Sequence, residues 1–307
     1  MREAGKRLCL GTIRAFSAVV DIVVLTLIVL VLCFSVYVIR DSYQVYNSAD
    51  ASKYEMYDPK NGEETPSFSD LKALNSDVFA WIKVYGTGIN YAVVQTTDNN
   101  KYVSTDIMGN YATSGSIFLD HRSDRSFNDF NSILYGHHMD KHAMFGDIGL
   151  FANFDYFNER KYGNLYFDEK DHGLEIFAIV QTDAYDKSIF RSSIEVDSDK
   201  EEYLQLLIDS ATHLRNIDVS AEDNIVLLAT CSDMVTNGRD LLIARITDHV
   251  YEDDFIEAPR EQTKFIDRLQ SGSYWLLIVV AIILVVVIIL LFLLRERKKR
   301  IGKRSCE

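Results

Sequence analysis

The sequence predicts a mainly β domain held outside a membrane between two transmembrane helices, and three observations predict it. Two apolar stretches, 22–39 and 274–294, each come near the roughly 20 residues that a helix needs to cross about 30 Å of hydrocarbon. Between them, short runs rich in β-branched and aromatic residues recur between turn signals, the pattern of a barrel or sandwich rather than of alternating βαβ units. Helical patterns in the same region are few and short.

From the N-terminus, residues 1–21 form a basic tail with Arg2, Lys6, Arg7 and Arg14, and residues 295–307 form a second one with Arg295, Arg297, Lys298, Lys299, Arg300, Lys303 and Arg304. The positive-inside rule places both tails in the cytoplasm and residues 40–273 outside. A cleaved signal peptide is the rival reading of 22–39, but such a region runs only about 7 to 15 residues and ends in a small-x-small site, which is missing here. Asp21 is expected at the headgroup level. Segment 40–69 is polar, Tyr-rich and broken by Pro59, Gly62 and Pro66, so it reads as a stalk, partly helical near the membrane. Segment 255–273, with Phe265, Ile266 and Leu269 among charges, reads as a helical connector to the second span.

Residues 70–254 are one domain by length. Strands are expected over 80–84, 91–95, 115–119, 132–135, 164–167, 174–182, 224–230 and 240–248. The clearest helix begins near Ser198, where Ser198-Asp199-Lys200-Glu201 has the capping-box pattern, and carries Tyr203, Leu206, Leu207 and Ala211 on one face. Two shorter helices are expected over 147–158 and 70–75.

From Arg40 to Ser273 there are 21 Lys and Arg against 41 Asp and Glu, a net charge of −20 that repels nucleic acid. Cys9 and Cys306 lie in the tails and Cys33 in the first span, so Cys231 is the lone thiol outside and no disulfide framework can form. A lone thiol at the end of the apolar run 225–231 is a candidate nucleophile. Such a nucleophile needs a proton donor for the leaving amine and hydrogen-bond donors for the oxyanion. His137 follows an expected strand and a Gly136 that permits a turn; it can switch charge near neutrality. Arg239 opens the strand after Cys231 and stays charged at any relevant pH. Singly, each residue has a bland reading as a small buried hydrophobe, a satisfied histidine or a salt-bridged arginine. His138 and His142 have zinc-pair spacing if helical, but the polar Asp140-Lys141 argues for a loop and no third ligand is apparent.

Five ordered motifs carry a resemblance: Asp70 to Ile82; Ile89 to Gln95; Gly115-Ser116-Ile117-Phe118-Leu119-Asp120; Tyr135-Gly136-His137-His138-Met139 with Met144-Phe145-Gly146-Asp147; and Leu228-Ala229-Thr230-Cys231 with Gly238-Arg239. Together they resemble a class B sortase over essentially the whole extracellular domain. The resemblance implies a closed eight-stranded sortase barrel with a few peripheral helices, the helix from Ser198 being the class B insertion. It makes Cys231 the acyl-enzyme nucleophile, His137 the general acid and base, and Arg239 the oxyanion or substrate-positioning group. Leu227 stands where the family usually has Thr, and Arg245 and His138 remain rivals of Arg239 and His137.

The implied activity is that of a membrane-anchored thiol transpeptidase of a Gram-positive surface. It would cleave an LPxTG- or NPxTG-like sorting signal of surface proteins and pass the thioester to a cell-wall amine, with no metal or organic cofactor. Housekeeping class B enzymes usually have only the N-terminal anchor, so the second span raises a pilin lysine as acceptor, although no Asp-Pro-aromatic lid motif is present. A hydrolase of the same fold and a non-catalytic adhesion module are the other readings. A papain-like protease is disfavoured because there the Cys precedes the His.

Overall fold

The computed structural model describes residues 2–61, 66–192, 194–231 and 238–255, together with five helical positions between 282 and 290. Helix α1 (Arg2–Ala49) contains the expected first span, and its stretch Ala15–Ala49 is long and apolar enough to cross a membrane. The expected connector beyond Phe255 and nearly all of the second apolar segment, 274–294, lie outside the described residues. One helix of membrane-crossing length is therefore seen among the described residues, not two.

The compact unit that follows runs from Gln44 to Glu257. It includes much of the segment expected as a stalk: Ala49 and Tyr54 are buried, and the Tyr91 hydroxyl donates to the Ala49 carbonyl at 2.8 Å. After short 3-10 turns comes α2 (Phe68–Leu74), started by a capping box in which Ser67 and Asp70 exchange bonds. Then follow β1 (Val78–Val84), β2 (Asn90–Val94), β3 (Ile117–Leu119), β4 (Asn131–Tyr135), and a small hairpin of β5 (His138–Met139) and β6 (Ala143–Met144). A 3-10 turn, Ile148–Ala152, precedes α3 (Phe154–Glu159); next come β7 (Tyr162–Phe167), β8 (Lys170–Asp183), α4 (Asp197–Asp209), β9 (Ala211–Leu214), β10 (Ile225–Cys231) and β11 (Gly238–Thr247).

Eight strands close on themselves in the order β11-β10-β4-β3-β2-β1-β7-β8, with β8 returning to β11, so the barrel has no free edge; β9 adds to β8 outside it. All eight expected strands are these eight. Alternate residues fill the interior, among them Ile82, Val93, Leu119, Leu134, Leu165, Ile176, Leu228 and Leu242. The opposite face of β4, β10 and β11 is covered by α4, whose Tyr203, Leu204 and Leu207 pack on Ile133, Leu227, Leu241 and Ile243. Burial on both faces explains why 225–229 is a continuous apolar run rather than an alternating one. Phe68 and Leu71 of α2 pack on Trp81, Ala92 and Val94 of β1 and β2.

Three helical expectations need correction. The capping box at Ser198 is not made: the cap of α4 lies two residues earlier, at Val196, with no side-chain bond, and acidic Asp197 and Asp199 complement the positive helix end instead. Ala211 is not on the helix but opens β9, because pairing with Val180 on β8 outweighs one more turn. The helix expected over 147–158 is divided at Asn153, whose extended backbone ends the 3-10 turn and whose side chain caps α3 by accepting from the Tyr156 N–H.

Candidate active site

Register brings the three sequence candidates to one end of the barrel. β10 and β4 run parallel with Ala229 opposite Tyr135, so Cys231 and His137 both lie two residues further on, at the same edge. The Gly136 N–H donates to the Ala229 carbonyl at 3.2 Å, which carries the pairing one residue beyond the ladder. β11 runs antiparallel to β10 with Arg239 directly opposite Cys231. Adjacent strands are about 4.8 Å apart, so backbone positions 231 and 239 stand side by side on β10 and β11, while His137 lies two residues past the end of β4, the strand on the other side of β10. By alternation, Arg239 shares the face of Leu241.

His137 is held from across the site. Its Nε2 lies 2.8 Å from the carbonyl oxygen of Val103, in the connection between β2 and β3. A carbonyl can only accept, so Nε2 carries the proton and Nδ1 is the atom able to gain or release one. No sequence signal marks Val103, because the group that matters is its main chain. Gly136 earns its place by space rather than by turning: a Cβ there would stand 2.5 Å from Ile117 Cδ1 and 2.7 Å from Phe145 Cδ2.

The rival residues lie elsewhere or in other roles. Arg245 pairs in register with Ile225 at the far end of β11, about 20 Å from position 239 at the rise of a strand. There it is tied to Glu175 at 2.6 Å and Asp223 at 3.7 Å. His138 is in β5 and His142 in the turn after it, so the helical zinc-pair spacing does not arise. His142 Nδ1 instead meets the Asp147 carboxylate at 2.7 Å. Among the described residues, no group of three or more His, Cys, Asp or Glu is placed to hold a metal ion.

Behind the site, β3 and β4 are locked by a buried carboxylate. Burial alone would raise the pKa of Asp120, but Arg122, which donates twice from its side chain and once from its backbone, and Asn99 outweigh it and hold the carboxyl below its ordinary range. The Tyr135 hydroxyl, raised by its own burial and by Asp120, stays protonated and reaches Asp120 Oδ2 at 3.3 Å. On the interior face beside the candidate residues, Asp240 accepts from Gln181 Nε2 at 2.9 Å.

Comparison with known proteins decides the family. No family model matches the chain. Sortase B of Staphylococcus aureus is 31% identical over 199 residues, which cover 63% of this chain and 80% of that protein. The chain belongs to the class B sortases. Solved structures agree: Clostridium perfringens sortase B superposes with a TM-score of 0.57 at 35% identity, covering 59% of this chain and all of that one. Sortase B from the type II pilus of Streptococcus pneumoniae gives a TM-score of 0.53 at 42% identity, covering 59% of this chain and 99% of that one. The closed barrel is thus the sortase barrel, and membership carries cysteine transpeptidase chemistry as the family's activity.

Proposed function

We propose that Cys231 is the nucleophile of this sortase, His137 its general acid and base, and Arg239 the group that steadies the oxyanion or the substrate. The observation that supports this assignment best is the register in which Arg239 faces Cys231 on one side and the His137 strand runs parallel to it on the other. The substrate proposed is an LPxTG- or NPxTG-like sorting signal of a surface protein. The Cys231 thiolate attacks the threonine carbonyl, and the guanidinium of Arg239 offers donors to the resulting oxyanion. Collapse breaks the threonine–glycine C–N bond, and the imidazolium of His137 gives its proton to the leaving glycine amine. The thioester then accepts an incoming amine, whose proton returns to His137, and the thiolate leaves as the new amide forms.

A cell-wall amine is the acceptor proposed first, with the enzyme held at the outer membrane face by α1 and the second apolar segment and both termini inside. A pilin lysine is the second reading, favoured by the 42% identity to the sortase of a type II pilus. Intact-mass measurement of the full chain in detergent, with Leu-Pro-x-Thr-Gly and Asn-Pro-x-Thr-Gly peptides, tests the assignment. A thioester adduct lost in Cys231→Ala and slow to form in His137→Ala and Arg239→Ala is expected; turnover at wild-type rate in any of the three overturns that residue's role. Adding triglycine or a pilin-like lysine peptide then distinguishes the acceptors, whereas release of free acid only would indicate a hydrolase.

A further inference from the structure

The hairpin that begins one residue after His137 has a backbone that little local sequence preference supports. Within four residues, Lys141, His142 and Met144 all have positive φ, at 61°, 62° and 52°, a region that non-glycine side chains rarely enter. Such a segment persists only where its surroundings over-determine it. Three holds do so here. The buried Asp147 carboxylate accepts from the Gly88 N–H and meets His142 Nδ1, each at 2.7 Å. Tyr46 at the end of α1 reaches Asp140 at 3.5 Å and lies 4.2 Å beneath the Lys141 ammonium. The third hold is Tyr91, whose hydroxyl accepts the Met144 N–H and donates to the Ala49 carbonyl, both at 2.8 Å.

The Ala49 carbonyl ends α1 and has no partner further along that helix, so the Tyr91 hydroxyl satisfies one of the acceptors that every helix end leaves over. The same hydroxyl fixes Met144, which pairs with His138, and the next N–H, that of Phe145, donates to the carbonyl of His137 itself at 3.0 Å. Burial pushes the Tyr91 pKa up to about 12, so the hydroxyl keeps its proton and both bonds throughout the working range.

We infer that Tyr91 is a positioning residue for His137, tying the end of the N-terminal apolar helix to the strained hairpin that sets where the imidazole stands. The inference rests on the acid–base assignment of His137. Through Tyr46 and the Ala49 carbonyl, the last turns of α1 then support the hairpin that follows the proton-transfer group.

The test uses the full-length chain in detergent micelles, with whichever of the two sorting-signal peptides the wild type turns over and triglycine as acceptor. Tyr91→Phe should lower kcat about tenfold with KM within twofold, and shift the pH profile of kcat/KM, because a displaced imidazole loses its bond to Val103. Tyr203→Phe is the control: it removes another buried tyrosine hydroxyl, bonded to the Ile189 carbonyl, and should lower Tm without a loss of kcat. A wild-type kcat and pH profile in Tyr91→Phe, or an equal loss of kcat in Tyr203→Phe, overturns the inference. If His137→Ala is inactive while Tyr91→Phe is unchanged, only the positioning role fails; if His137→Ala is active, the assignment beneath it fails too.

Discussion

Exchanging the two arginines of β11 separates chemistry from scaffold. Arg239 stands opposite Cys231, whereas Arg245 stands opposite Ile225, six residues along a strand that rises about 3.4 Å per residue. A guanidinium some 20 Å away cannot donate to an oxyanion formed at position 231. Removal of an oxyanion donor costs about 10²- to 10³-fold in kcat, so Arg239→Ala should fall in that range with little change in Tm. Arg245→Ala should do the reverse. It strips Glu175, half-buried with 16% of its side chain exposed, of a 2.6 Å charged partner, and also releases Asp223. Loss of such a bond costs about 2 kcal/mol, which for a domain of this size lowers Tm by about 4–8 °C. Steady-state turnover of a fluorogenic sorting-signal peptide, paired with a thermal melt of each variant, reads both effects. A loss of turnover in Arg245→Ala with Arg239→Ala near wild type would refute the reasoning from register.

Two further outcomes follow from the packing and the buried charge. Gly136→Ala should destabilise the domain by about 1–3 kcal/mol and slow turnover, since its methyl must displace Ile117 or the buried Phe145 ring beside His137; a melt and a rate at wild-type values would show that the space is not tight. Asp120 has a folded-state pKa below its unfolded value, so its stabilisation is fully present above the unfolded pKa, near 4, and is lost as pH falls through the folded value. Asp120→Asn should therefore be less stable than wild type at neutral pH and lose less on acidification; denaturant midpoints that run parallel from pH 7 to pH 3 would contradict this.

Much of the barrel was legible because its strands announce themselves locally. Runs such as 80–84, 132–135 and 224–230 combine β-branched or aromatic residues with bounding turns, and pairing moved their ends by only a few residues. Elements whose signal is not local are harder to read. The loop expected around Asp140-Lys141 is the turn of the hairpin 138–144, but its short pairing is not written in the residues, since Lys141, His142 and Met144 adopt positive φ under external holds. The segment after Arg40 looked like a stalk because its polar residues hide the few, Ala49 and Tyr54, that pack on the barrel.

The candidates are written in the chain: a lone outer thiol ending an apolar strand, a histidine after another strand, an arginine opening a third, and a strongly acidic domain preceded by an apolar helix. The family motifs named their roles as an expectation. Tertiary structure alone decided which strands are neighbours, and hence that position 231 faces 239 while 137 follows the strand on its other side. β4 and β10 are nearly a hundred residues apart in sequence and pair in parallel, a contact that no period or spacing in the chain encodes. Register also separated Arg239 from Arg245, since both lie on the same strand with the same chemistry and differ only in what stands across from them. Finally, the main-chain carbonyl of Val103 and the hydroxyl of Tyr91 act through position, and position is a property of the folded chain rather than of residue type.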